Sequence, residues 1–367
     1  MRVLVVSGIW PPDVGGPASH APEAAEFLVG RGHSVEAVTT ADAEPASTGY
    51  PVHWVSRDLP VGARHFTAAM EIARRAWHAD VVYSTGMLGR TALGTALAGK
   101  PFVAKLTQDP AFERALRRGQ FHGDPVEFQS SDSARVLRAA RDLEVRRAVQ
   151  VLCPSAFLAG LVRGWGVPES RISVLPNPTP PLPELPERTP RERPQLAFAG
   201  RLTAPKALGV ALEAVARVPE VDLALAGDGD ERAVLESRAR ELGLDGRVRF
   251  LGSLPRDEVL ALLRSSDAVL LSSAWENFPH TLVEALAVGT PAIATAVGGV
   301  REIVTDGENG LLVPPGDPAA LADAIRRFLG DGDLRARLTA AAAPSAERFS
   351  AERIYGRLEE ILAGAAP

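Results

Sequence analysis

Residues 195–206 read Gln-Leu-Ala-Phe-Ala-Gly-Arg-Leu-Thr-Ala-Pro-Lys, and residues 222–229 read Asp-Leu-Ala-Leu-Ala-Gly-Asp-Gly. Each stretch is a short apolar run that ends on glycine, with charged residues just beyond it. Such a run predicts a fully buried strand, and the pattern from 206 to 217 predicts a helix between the two. Strand, helix, strand in this order predicts parallel strands joined by a crossover helix. The series continues with strands at 248–251, 268–271, 291–295 and 311–313. Helices are expected at 231–242, 255–265, 280–288, 301–305 and 318–329, with an Ala-rich helical tail from about Asp333.

A similar series comes first, with strands at 3–7, 34–39, 80–83, 101–106 and 149–153 and a helix at 21–31. Between the two series, residues 176–194 hold eight prolines. Proline has no amide hydrogen and a fixed φ, so this stretch forms neither a helix nor an inner strand and reads as a semi-rigid linker. The expected fold class is therefore α/β, with two doubly wound, Rossmann-like domains at 1–175 and 195–345. Ligands of such sheets bind at the carboxyl ends of the strands, so two facing domains are expected to offer a cleft between them.

Composition narrows the function classes. A chain of 367 residues is too long for one ordinary core. Apolar residues at 46% and charged residues at 23% are those of a soluble globular protein. A net charge of −5 argues against a general nucleic-acid binder. The N-terminal apolar stretch is too short for a signal peptide, and no run nears about twenty apolar residues, so a cytoplasmic location without a membrane span is expected. Residues 105–147 hold nine Lys/Arg against seven Asp/Glu, too even a balance for a strong lipid-headgroup patch. Membrane association is not supported by this balance. The single cysteine, Cys153, excludes an internal disulfide and reads as a small core residue.

The charged residues beyond the strands carry the chemistry. Arg201 and Lys206, next to Gly200 and a helix start, suit a diphosphate through charge and helix dipole. Gly227 and Gly229 allow close backbone approach, while Asp228 between them either contacts ligand or caps the following helix. Phe250 and Leu251, before Gly252, either offer backbone groups to a flat base or simply end a strand. Glu276 lies in a strand-to-helix loop, and Glu284 follows it on the helix among apolar residues. A carboxylate there either faces solvent from an amphipathic helix or needs a partner, for which a ribose diol supplies two hydroxyl donors. Gly298 and Gly299 open a short helix, where amides are available to phosphate or sugar. In the first half, Gly15 and Gly16 do not fit the dinucleotide fingerprint but could touch ligand with His20. Thr107, Asp109 and Glu113 follow another strand; Asp109 either meets an acceptor hydroxyl or caps the helix after Pro110. The residues offer no His/Asp cluster with metal spacing, so no metal and no other cofactor is expected.

Together, Gly200-Arg201-Leu202, Lys206, Gly227-Asp228-Gly229, Phe250-Leu251-Gly252, Glu276 to Glu284 and Gly298-Gly299 with Glu302 resemble the nucleotide-sugar domain of retaining glycosyltransferases of family 4. The resembling stretch runs from Leu196 to about Asp317, with a looser match before it. The resemblance implies the GT-B fold, with an N-terminal acceptor domain and a C-terminal donor domain. It also implies a C-terminal helix, 346–367, that packs back on the first domain. Arg201 and Lys206 would bind the donor diphosphate and Glu276 the donor sugar, with Phe278 and Pro279 offering it backbone amides. Glu284 would hold the ribose, and Gly15 and Gly16 would form a loop across the cleft, with His20 behind it. Two departures stand out. Ala207 follows Lys206 where the family often has glycine, and no histidine occurs at 107–109, where many members carry one.

The expected reaction is transfer of a hexose-type sugar, or its N-acetylamino form, from a nucleotide-diphosphate donor to an acceptor hydroxyl with retention. UDP-sugar is favoured, with GDP-mannose as the alternative donor, and the acceptor is a small molecule or glycan. The rivals are a nucleotide-sugar epimerase or phosphorylase, and a sugar-nucleotide binder with impaired catalysis.

Overall fold

The computed structural model describes residues 1–13, 16–46, 48–179, 181–186 and 191–366, with backbone alone for 16–19 and 133. Two compact units are present, residues 1–177 with 352–367, and residues 178–351.

In the first unit, Val3, Leu4, Val5 and Val6 are at most 2% exposed, because a central parallel strand is covered on both faces. They belong to β1 (Arg2–Val6). The other strands are β2 (Ser34–Ala41), β3 (Val52–Ser56), β4 (Val81–Ser84), β5 (Phe102–Lys105), β6 (Gln150–Cys153) and β7 (Ile172–Val174). They pair in parallel in the order β3-β2-β1-β4-β5-β6-β7. The order reverses between β1 and β4, which opens a crevice at their carboxyl ends. Cys153 is fully buried, and burial pushes its thiol up to about 12, so it is an inert core residue.

The last helix, Ala351–Ala365, buries Ile354, Tyr355, Leu358 and Leu362. Almost all of it belongs to the first unit. Tyr355 Oη donates to Glu23 Oε2 at 3.0 Å, and Glu359 accepts from Arg31 Nε at 3.2 Å and pairs with His33 Nε2 at 2.7 Å.

The second unit holds β8 (Gln195–Ala199), β9 (Asp222–Ala226), β10 (Val248–Gly252), β11 (Ala268–Leu271), β12 (Ala292–Thr295) and β13 (Gly310–Val313). Their order is β10-β9-β8-β11-β12-β13, again all parallel. The reversal here lies between β8 and β11. One helix departs from expectation. Instead of running unbroken from Lys206, the chain makes a 3-10 turn at Ala204–Lys206, and the helix begins at Leu208 after Ala207 at φ 47°.

Candidate active site

In the second unit, the loops after β8 and β9 are stitched together by backbone. Gly200 N donates to Ala226 O at 2.9 Å, Leu202 N to Asp228 O at 2.9 Å, and Glu231 N to Leu202 O at 3.0 Å. Gly227 and Gly229 permit this. They sit at φ 141° and 157°, and a Cβ on them would fall 1.8 Å from Gly200 O and 2.3 Å from Leu202 O. The glycine pair therefore has a structural reason before any ligand is considered.

This stitching presents the β8 loop to the residues after β11, at the reversal point. Lys206 Nζ meets Glu276 Oε1 at 2.5 Å, and Ser273 Oγ donates to the same oxygen at 2.6 Å. Ser272 Oγ contacts the Lys206 and Ala207 carbonyl oxygens at 3.0 and 3.1 Å. Ala274 N donates to Pro205 O at 2.8 Å, and Thr281 Oγ1 to Ala199 O at 2.8 Å. Gly299 N donates to Glu276 O at 3.2 Å, so this amide is already engaged. Glu276 is only 7% exposed, so its charge is compensated by the lysine and the hydroxyl. An ammonium has three donors, and the pair with Glu276 leaves Lys206 further N–H groups for a ligand. Arg201 is exposed, and its guanidinium makes no hydrogen bond or ion pair among the described residues. Lys206 and Glu276 thus form a paired cation and carboxylate, with Arg201 five residues before Lys206 in the loop after β8. Ser272 and Ser273, which hold it, were not singled out in the sequence; the signal was a serine pair directly after an apolar strand.

Other expected donor contacts are placed differently. Glu284 faces Arg256, with Arg256 Nε 3.5 Å from its Oε1, so in this structure an arginine lies beside the carboxylate assigned to ribose. Asp228 Oδ1 accepts from Gly229 N at 2.8 Å and Oδ2 lies 3.4 Å from Arg232 Nη1; it caps its own turn rather than the helix Arg232–Glu241. Phe250 and Leu251 lie half-buried on β10, an edge strand whose Gly252 O accepts from Gly227 N at 2.7 Å. Phe278 packs its ring edge-on to His280 and Phe349. Pro279 cannot act as expected: proline has no amide hydrogen, and the residue instead precedes the first turn of the helix His280–Ala287. Gly298 adopts φ 44° in the turn before Gly299.

The first unit has a cavity of about 910 Å³ at the carboxyl ends of β1, β4 and β5, its own reversal point. Thr107 and Glu113 line it, together with Gly8, Thr85 and Gly86. Asp109 does not. It is 1% exposed and caps the helix Pro110–Arg117, accepting from Ala111 N at 2.8 Å and Phe112 N at 3.2 Å. Its other oxygen takes Gln129 Nε2 at 3.0 Å and Arg141 Nη1 at 2.5 Å, and the Arg141 guanidinium stacks 3.9 Å from the Trp165 ring centre. Of the two readings for Asp109, the cap is the one the structure shows; both oxygens are occupied, so it is not a catalytic carboxylate. His20 is 8% exposed and bonded to Tyr83 Oη at 2.7 Å, with Tyr355 Oη 3.4 Å from its other nitrogen. It is a packing residue outside the cavity. Gly16 opens the helix Gly16–Gly30, and Gly15 lies outside the described residues. The signal for the cavity's arginines is the spacing of Arg114 and Arg117 on the helix Pro110–Arg117, with Arg118 directly after it.

Comparison with known proteins agrees with this architecture. The family model described as "Glycosyl transferases group 1" matches residues 185–344, and the one described as "Glycosyltransferase Family 4" matches residues 14–181. The glycogen synthase of Mycobacterium tuberculosis is 28% identical over 361 residues, covering 90% of this chain and 86% of that protein. The lipopolysaccharide core biosynthesis glycosyltransferase LpsE of Rhizobium meliloti is 40% identical over 150 residues, but only 41% of this chain and 44% of that protein are covered. The crystal structure of Anabaena Alr3699/HepE in complex with UDP superposes with a TM-score of 0.79 at 22% identity, covering 99% of this chain and 100% of that one.

Proposed function

Because the chain belongs to the GT-B glycosyltransferases of the family 4 type, we propose that it moves a hexose-type sugar from UDP to an acceptor hydroxyl with retention of anomeric configuration. The observation that carries this reading is the Lys206–Glu276 pair at the β8/β11 reversal, with the exposed Arg201 in the same loop. A cation paired with a carboxylate, and a second cation in the same loop, suit a donor that is anionic at its diphosphate and hydroxylated at its sugar. UDP is preferred over GDP because a structure of this fold was determined with UDP.

In the reaction, the bond from the anomeric carbon to the β-phosphate oxygen breaks and a bond from that carbon to the acceptor oxygen forms. The acceptor proton passes to the departing phosphate oxygen, and UDP leaves. Arg201 and Lys206 offset the charge that builds on the diphosphate, and Glu276 holds the sugar and keeps Lys206 in place. Charge neutralisation is assigned to these side chains rather than to a metal. The acceptor is assigned to the cavity of the first unit. No helix among the described residues is long and apolar enough to cross a membrane.

The test is UDP release from UDP-glucose with and without acceptor candidates, followed by the anomeric configuration of the product by NMR. Acceptor-dependent release and an α-linked product are expected, since the donor is itself α. A β-linked product overturns retention, and conversion of the donor sugar without UDP release identifies an epimerase instead.

A further inference from the structure

The cavity of the first unit carries more positive charge than sugar hydroxyls require. Arg90, Arg114, Arg117 and Arg118 line it against two carboxylates, Glu113 and Glu144. Those carboxylates do not fully engage them. Arg114 Nη2 stands 3.7 Å from Glu144 Oε2, and Arg117 Nη2 stands 3.7 Å from Glu113 Oε1, both beyond a hydrogen bond. Arg90 Nη1 is shielded from solvent and has no hydrogen-bond partner among the described residues.

The charges and burial around the neighbouring groups point to the same field. Burial, then Arg64 and Arg114, pull Arg90 below its ordinary value. Burial, then Arg90, Arg64 and Arg114, do the same to His65, another lining residue. Burial pushes the Glu144 carboxyl up despite Arg114 and Arg90, which weakens the main counter-charge. A guanidinium does not give up its proton in a protein, so this crowding of like charge persists until an anion relieves it.

We propose that this cavity binds a phosphate group carried by the acceptor, with Arg90 and Arg114 as its principal contacts. The guanidinium fork matches phosphate oxygens, and a shielded N–H without an acceptor gains a full hydrogen bond when one arrives. The word acceptor rests on the transferase reading above; the preference for phosphate rests on the cavity alone. The phosphate belongs either to a soluble sugar phosphate or to a lipid headgroup, since Phe66 and Leu93 line the same cavity at 65% and 50% exposure.

The experiment is calorimetric binding of glucose and glucose 6-phosphate to the full-length protein, with inorganic phosphate as competitor. Beside it run sedimentation with phosphatidylcholine vesicles with and without phosphatidic acid, and UDP binding as a control on the second unit. Glucose 6-phosphate is expected to bind at least about tenfold more tightly than glucose, with phosphate competing. Arg90→Gln and Arg114→Gln should each remove most of that preference while UDP binding stays at the wild-type level. Binding only to vesicles that contain phosphatidic acid, lost in both variants, supports the lipid source. Equal affinity for the two sugars without acid-dependent vesicle binding overturns the proposal, as does an unchanged preference in both variants. Loss of UDP binding by the wild type, with phosphate preference intact, refutes the donor reading and leaves this one standing.

Discussion

Lys206 and Glu276 sit far apart in sequence, yet they meet at 2.5 Å because β8 and β11 are neighbours in the sheet. The pair gives Lys206 a fixed position, which in the proposed reaction leaves little reorganisation. Lys206→Ala is expected to lower kcat by about 10²–10³-fold with a much smaller change in donor KM, as measured by steady-state kinetics. A rise in KM with unchanged kcat would mean that the lysine binds donor equally in ground and transition states. Asp109 illustrates the opposite case. From sequence alone, a carboxylate after a strand end reads equally as ligand contact or as cap, and only the placement of Arg141 and Gln129 decides. His20 is similar: its partners Tyr83 and Tyr355 come from distant parts of the chain, which no local pattern reveals.

At the scale of elements, the turn from Lys206 into the helix Leu208–Ala216 is strained where the family often has glycine. Ala207 adopts φ 47°, which costs a residue with a Cβ about 1 kcal/mol or more. Ala207→Gly should raise stability by about 0.5–1 kcal/mol after the added unfolded-state entropy, read as a rise of about 1–4 °C in Tm. A fall in Tm would show that the surrounding bonds from Ser272 already accommodate the alanine. The departure was legible in the sequence; the left-handed backbone beneath it was not. The apolar inner strands were legible for the same reason they are inner: burial on both faces demands continuous apolar runs, as at Leu196–Ala199. The edge strands β3 and β7 escaped notice because they are short and half wet, with Trp54 and Val174 at 36% and 44% exposure. The helices Val61–Ala76 and Leu88–Ala98 are not legible in the sequence either; the first exposes Phe66 and Met70, which blurs its apolar stripe.

At the scale of the whole molecule, buried charge sets the dependence of stability on pH. Lys105 is 2% exposed, and burial lowers its ammonium from 10.5 to about 7, with Cys153 opposing the shift. Between those values the unfolded chain holds more protons than the folded one, so this group makes stability rise with pH. The slope is at most about 1.4 kcal/mol per pH unit for one proton. Cys153 acts with the opposite sign above its ordinary 9, since its folded value is about 12, so the rise belongs to the window from about pH 7 to about pH 9. Denaturant melts across that window should show the rise in the wild type and its loss in Lys105→Met. An unchanged slope in the variant would assign the dependence to other groups.

In the proposed reading, the second unit takes a nucleotide diphosphate on Arg201 and Lys206. The most direct test of that reading is the thermal stability of the wild type and of the Arg201→Ala/Lys206→Ala double variant against UDP, GDP, ADP and dTDP. At about a hundred times Kd, UDP should raise the wild-type Tm by about 5–10 °C, more than the other three, and leave the double variant unmoved. No rise with any nucleotide, or the same rise in both proteins, would contradict the account.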